Sequence, residues 1–112
     1  MDLSIIILNY NNKNLVKELL NNFKELNLKY NYEIIVVDNA SYDSINKVVK
    51  QFDNIKFIQS EKNKGFAYGN NLGIKQAKGK YIMICNPDLA ILSDAFDIIY
   101  NYMESHKEVG LA

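Results

Sequence analysis

At 112 residues the chain is long enough for one domain with a real core. Its 13 basic and 13 acidic residues cancel, and every basic residue is Lys, which argues against a nucleic-acid partner, where a basic excess and bidentate Arg contacts are the rule. The one cysteine, Cys85, excludes an intramolecular disulfide and a cysteine-based metal site.

Ser4-Ile5-Ile6-Ile7-Leu8 is a continuous apolar run, the pattern of a strand buried on both faces, predicted over about residues 3–9. It is too short for a signal peptide and turns polar at Asn9. The loop Asn9-Tyr10-Asn11-Asn12 follows, and Leu15, Leu19, Leu20, Phe23 and Leu26 then repeat at helical spacing. A second buried strand is predicted over about 32–38. In the loop after it, Ser41 or Asp43 is expected to cap a helix carrying Ile45, Val48, Val49 and Phe52. A third strand is predicted over about 55–59. After the turn Asn63-Lys64-Gly65 comes a helix with Phe66, Leu72, Ile74 and Ala77, ended by Gly79 as the residue just past its cap. A fourth buried strand, about 80–86, carries Cys85 as a small apolar residue. The last helix starts near Ser93, with Phe96, Ile99, Tyr100 and Met103 as its apolar face, and Val109-Gly110-Leu111-Ala112 reads as the opening of another strand.

Alternation of strand and helix with continuous apolar strands gives an α/β fold, a mainly parallel sheet with helices on both faces. No segment is long enough to span a bilayer, and a reduced, cytoplasmic setting fits, with peripheral attachment to the inner face of the membrane left open. A sheet edge left exposed makes pairing between copies of the chain an expected mode of homo-oligomer formation.

Two strands end in an acid. Glu33-Ile34-Ile35-Val36-Val37 runs into Asp38, and Tyr81-Ile82-Met83-Ile84-Cys85 runs into Asn86-Pro87-Asp88. Open α/β sheets bind ligands outside the carboxyl ends of their strands, so the two acids are expected at one polar site on one sheet edge. Each acid alone reads equally as a turn or cap residue. Gly65, Gly69 and Gly73 are spaced four apart, as one face of a helix. Close packing on the sheet is the preferred reading, with a phosphate cradle at a helix N-terminus as the other. Neither the dinucleotide fingerprint nor a Walker A loop is present. Lys62, Lys64, Lys75, Lys78 and Lys80 are read mostly as solvated surface, and His106 as a surface residue.

With these segments in hand, the chain resembles the N-terminal half of a family 2 glycosyltransferase with the Rossmann-like GT-A fold, most closely the rhamnosyltransferase-like branch. The stretches that carry the resemblance are Ser4 to Asn11, Glu33 to Ser44, Asn63 to Gly73 and Gly79 to Asp88, in the family's order and spacing. The resemblance implies a nucleotide-diphospho-sugar donor and a saccharide or lipid-linked acceptor, in cell-surface polysaccharide synthesis. It places Asn9 and Tyr10 against the nucleoside, makes Asp38 the acceptor for a base N–H, and sets Asn63 and Gly65 beside ribose and diphosphate. It makes Asn86-Pro87-Asp88 the counterpart of the family's Asp-x-Asp motif, with Asn86 near the ribose and Asp88 ligating Mn²⁺ or Mg²⁺. Asn86 stands where many relatives have the first Asp, which removes one negative charge near the metal. The family's catalytic base and acceptor site lie in a C-terminal half that this sequence does not contain. Asp94 and Asp97 read as charges in the first turns of a helix, not as that base. The alternatives are a nucleotide-binding module that transfers nothing, a sugar-nucleotidyltransferase-like enzyme, which would carry a Gly-rich basic loop after its first strand, and a signalling-type doubly wound domain, which leaves both acid-ended strands without a role.

Overall fold

The computed structural model describes residues 1–26, 28–88 and 93–106, with side chains of the last helix described from residue 97 onward. In chain order the described elements are β1 (Leu3–Asn9), α1 (Lys13–Leu26), β2 (Tyr32–Asn39), α2 (Ile45–Val49), β3 (Ile55–Ser60), α3 (Phe66–Gln76), β4 (Tyr81–Cys85) and α4 (Ser93–Ser105). The sequence expectation for Val109 to Ala112 lies outside the described residues. The four strands form one parallel sheet in the order β3-β2-β1-β4. The chain therefore builds outward from β1 to β3 and then crosses back to place β4 on the other side of β1.

The central strands β1 and β2 are buried on both faces, as their unbroken apolar runs require. On one face Ile5, Ile7 and Val36 meet Val16, Leu19, Leu20 and Phe23 of α1 and Ile45, Val48 and Val49 of α2. Those four α1 residues follow an i, i+3, i+4, i+7 stripe, and burying each is worth about 1.5–3 kcal/mol. Leu15, expected on that stripe, lies one position off it and is exposed. On the other face Ile6, Leu8, Ile35 and Val37 pack against Leu72, Ile74 and Ala77. Helix α3 can lie this close because a Cβ on Gly69 would sit 2.6 Å from Leu8 Cδ1, and one on Gly73 would sit 2.8 Å from Ile6 Cγ2. The packing reading of those two glycines therefore holds.

Gly79 serves a different purpose from the one its position suggested. Ala77 caps α3 in an extended conformation, and among the described glycines only Gly65 has positive φ. A Cβ on Gly79 would lie 2.5 Å from the backbone of Leu3 and of Ser4, so the position demands close approach of chain to chain. Helix α2 also ends earlier than expected. Its last turn tightens into Gln51 N–H to Val48 and Phe52 N–H to Val49 carbonyl bonds, which still bring Phe52 onto the core.

The edge strand β4 is buried on one face only. Tyr81, Met83 and Cys85 face the α1 side, whereas Ile82 and Ile84 are 44% and 43% exposed because α3 packs over β1, β2 and β3. Burial raises the Cys85 thiol to about 11, so it behaves as a small apolar residue. At the amino ends of the strands, Asp97 of α4 accepts from the Tyr30 hydroxyl at 2.6 Å and pairs with Lys29 at 3.3 Å. Burial, then the Asp97 carboxylate, raise Tyr30 to about 12. The lysines do not form one patch: Lys80 pairs with Glu104 at this same end, while Lys64 sits over the Tyr68 ring at the other. Among the described residues no helix is long and apolar enough to cross a membrane.

Candidate functional site

The strand order reverses beside β1, between β1 and β4, and a crevice of about 410 Å³ opens there outside the carboxyl ends of the strands. Leu8 and Tyr10 of β1 and its loop, Leu15 of α1, Phe66 of α3, and Asn86, Pro87 and Asp88 after β4 line it. This is the switch point at which open α/β sheets take their ligands. Pro87 ends the β4 ladder, and Asp88 is left exposed at the mouth. A second crevice of about 410 Å³ lies on the α1 face, lined among others by Phe23, Lys24, Tyr32 and Asp53, and neither acid-ended strand contributes its acid to it.

Asp38 ends β2 at the same sheet edge, as expected. Asn9, Asp38 and Gln59 form a row across three neighbouring strands, paired in register Asn9 to Asp38 and Asp38 to Gln59. Asn9 Nδ2 donates to Asp38 Oδ1 at 2.9 Å, and Gln59 Nε2 donates to Asp38 Oδ2 at 2.8 Å. The Ser41 N–H donates to the same Oδ2 at 3.1 Å. Asp38 is only 2% exposed. Burial alone would raise its carboxyl, but the hydrogen bonds from Ser41, Gln59 and Asn9 outweigh burial and hold it below its ordinary value.

Asn9 is 0% exposed, so its side chain does not line the crevice. Its amide nitrogen also lies 3.2 Å from Ser41 Oγ and from Asp43 Oδ1, and its Oδ1 accepts from the Asn12 N–H at 3.0 Å. The side chain expected against a ligand instead ties Asp38 to two loops. Ser41 and Asp43, read as caps for α2, serve the preceding loop and helix. Asp43 Oδ2 accepts the Lys13 N–H at 2.9 Å, capping the first turn of α1, and Ser41 Oγ accepts the Asn11 N–H at 2.9 Å. Ser44, the residue before α2, makes no side-chain cap bond and sits at φ 56°. Asn11 and Ala40 also have positive φ, so three strained non-glycine residues sit in the two loops around Asp38.

On the α3 side the buried Asn39 donates to Asn63 Oδ1 at 2.9 Å, and the Gly65 N–H donates to that oxygen at 2.9 Å. Gly65 is exposed at φ 100° and opens α3, whose N-terminus therefore faces the carboxyl edge of the sheet. Tyr10, Asn86 and Asp88 thus line the crevice, whereas Asp38, Asn63 and Gly65 lie at the same carboxyl end of the sheet outside its lining, and Asn9 is buried. Gln59 and Asn39 were not singled out in the sequence. Their roles depend on which strand pairs with which, and local pattern does not carry that.

The family described as Glycosyl transferase family 2 matches residues 4–111. The chain belongs to this family. A poly(ribitol-phosphate) beta-glucosyltransferase of Bacillus spizizenii is 34% identical over 113 aligned positions, covering 96% of this chain and 18% of that protein. The solved structure of S. aureus TarS 1-349 in complex with UDP superposes with a TM-score of 0.81 at 26% identity, covering 96% of this chain and 33% of that one. A mannosyltransferase from Pyrobaculum calidifontis, solved with GDP-Man and Mn²⁺, has the same fold, with a TM-score of 0.81 at 23% identity over 90% of this chain and 32% of its own. This family 2 chain therefore spans a third or less of these relatives, and its parallel sheet with helices on both faces has the GT-A glycosyltransferase fold.

Proposed function

We propose that this chain is the donor-binding part of a glycosyltransferase that moves a sugar from a nucleotide-diphospho-sugar to a saccharide or lipid-linked acceptor. The observation that carries the reading is that Asp38 and Asp88 lie at the same carboxyl end of the sheet, with Asp88 lining a crevice at the switch point. In this reading Asp38 accepts a base N–H and exposed Tyr10 lies along the nucleoside. Asn9 acts from beneath by fixing Asp38. Asn63, Gly65 and the N-terminus of α3 sit beside ribose and diphosphate, and Asn86 hydrogen-bonds the ribose.

Asp88 is the proposed ligand of Mn²⁺ or Mg²⁺. Among the described residues no group of three His, Cys, Asp or Glu side chains is placed to hold an ion. A single exposed carboxylate fits a hard cation that takes its remaining ligands from diphosphate oxygens and water. Such an ion, when bound, neutralises the charge that grows on the departing diphosphate. The names of the relatives, among them a poly(ribitol-phosphate) beta-glucosyltransferase and a low-salt glycan biosynthesis hexosyltransferase, support an acceptor in cell-surface polysaccharide synthesis. A rhamnosyltransferase-like specificity and pairing of copies through an exposed sheet edge belong to the same proposal.

The test is calorimetric titration with nucleoside diphosphates and their sugars, with and without Mn²⁺, followed by transfer of radiolabelled sugar to free-saccharide and lipid-linked acceptors. Binding of at least one diphosphate is expected. A folded chain that binds none of them overturns the reading.

A further inference from the structure

A second cleft adjoins the switch-point crevice at the start of α1. It measures about 310 Å³ and is lined by Asn11, Asn12, Lys13, Asn14, Leu15 and Asp43. Asn12 and Leu15 line both clefts, so the two share a wall. Its volume is at the lower end of the range for small-ligand sites, about 300–1,000 Å³.

The side chains around this cleft divide into two sets. Asn11, Ser41 and Asp43 hold the loops together. Asn11 Oδ1 accepts the Tyr42 N–H at 3.0 Å, Ser41 Oγ accepts the Asn11 N–H at 2.9 Å, and Asp43 Oδ2 accepts the Lys13 N–H at 2.9 Å. Asn12, Asn14 and Tyr42 do no such work. Asn12 holds the N-cap position of α1, where an Asn side chain ordinarily accepts a first-turn N–H, but here Asp43 reaches over from the next loop to accept one. Among the described residues the side chains of Asn12, Asn14 and Tyr42 have no hydrogen-bond partner, and all three are exposed. Tyr42 is 92% exposed, with its backbone tied to Asn11 beside the cleft.

These spare groups match one ligand chemistry. An Asn amide donates and accepts at once, as neighbouring sugar hydroxyls do. An exposed Tyr offers a flat apolar face for the C–H side of a pyranose and a hydroxyl at its tip. The two charged lining residues, Lys13 and Asp43, are opposite in sign, and Asp43 is already satisfied by the Lys13 N–H and by Asn9 at 3.2 Å. The cleft therefore favours a neutral ligand over an ion. We propose that it is a second saccharide site, in which Asn12, Asn14 and Tyr42 hold a neutral glycan beside the donor crevice. Its use, keeping a glycan chain next to the reacting sugar, rests on the donor-binding reading above.

The experiment is an amide-resolved NMR titration of the chain with maltohexaose and with chitohexaose, repeated on Tyr42→Ala, Tyr42→Phe and Asn14→Ala, each checked for fold by circular dichroism. At least one oligosaccharide is expected to give saturable shifts at residues 11–15 and 42–43. Tyr42→Ala and Asn14→Ala are each expected to weaken it about two- to tenfold, the worth of one ring contact or one hydrogen bond, and Tyr42→Phe to keep most of the affinity. UDP titrated in MnCl₂ is expected to bind all four chains alike, because neither residue lines the donor crevice. No saturable shift with either oligosaccharide, shifts confined to other residues, or native affinity in folded Tyr42→Ala and Asn14→Ala overturns the saccharide site and leaves the donor reading standing. Glycan binding by a folded native chain that binds no nucleoside diphosphate overturns the donor reading and leaves the saccharide site standing.

Discussion

Asn9 Nδ2 lies 2.9 Å from Asp38 Oδ1, across neighbouring strands and in register, with no solvent exposure at Asn9. This contact couples the stability of the sheet edge to the aim of the carboxylate. Replacing Asn9 by Leu keeps the branched side-chain shape and removes the donor, leaving Asp38 and Asp43 short of a partner. The expected loss is about 1–3 kcal/mol of stability, with nucleotide affinity weakened several-fold as well. Urea denaturation and UDP titration measure the two effects separately. Lower stability at unchanged affinity would make Asn9 a purely structural residue.

Asp38 and Asp88 were legible because an acid at the end of an unbroken apolar strand is a local pattern, readable without knowing the neighbours. The parallel sheet was legible for the same reason. Gln59 was not, because its chemistry comes from lying in register with Asp38, which only strand pairing reveals. Asp43 was read forward in the chain, toward the helix that follows it, while the fold turns it back onto the first turn of α1. Gly79 looked like a helix terminator, yet its missing Cβ answers a contact with Leu3 and Ser4, some 75 residues away in the chain.

Glu33 lies beneath the sheet edge opposite the crevice and clamps three segments. Its Oε2 accepts the Ser4 hydroxyl at 2.5 Å and the Lys78 N–H at 2.7 Å, and Lys56 Nζ lies 3.4 Å from Oε1. Burial would raise this carboxyl, but Ser4, Lys78 and Lys56 together hold it below its ordinary value of 4.5. A carboxyl lowered in the folded state contributes stability above its unfolded value and loses that contribution as pH falls through the folded value. The chain is therefore expected to lose stability on acidification below about pH 4.5. Glu33→Gln should flatten that acid limb while keeping the Oε2-side bonds. Glu33→Ala should cost about 1–3 kcal/mol at neutral pH by stranding the Lys78 N–H and the Ser4 hydroxyl. Denaturation midpoints across pH 3–7 check both, and parallel acid limbs in the native and Gln chains would remove Glu33 from the account.

The close-packed glycines differ in what surrounds them, and their substitutions should differ in rank. An added methyl on Gly69 meets the flexible Leu8 side chain, and on Gly73 the Ile6 and Val37 side chains. On Gly79 it meets backbone, which cannot step aside. Gly69→Ala also gains helix propensity of up to about 1 kcal/mol, which offsets part of its overpacking. The expected order of destabilisation is Gly79→Ala, then Gly73→Ala, then Gly69→Ala, read as urea midpoints. A Gly79→Ala chain as stable as the native one would contradict the close approach of Gly79 to Leu3 and Ser4.

Asp88 stands exposed at the mouth of the crevice, one residue past Pro87, with Asn86 as the other polar residue of the loop that lines it. Such a carboxylate has little to do for the fold, so Asp88→Asn should change stability by no more than about 0.5 kcal/mol. Its proposed work is to hold a hard cation against the diphosphate, and that work needs the charge. UDP is expected to bind more tightly in Mn²⁺ than in excess chelator, and Asp88→Asn should remove most of the difference. Asn86→Asp should enlarge it, because a second carboxylate beside the ion strengthens the site. The three chains are compared by calorimetric titration at fixed ionic strength, so that screening does not imitate a metal effect. Equal UDP affinity of the native chain in Mn²⁺ and in chelator would rule out Asp88 as a metal ligand for the diphosphate.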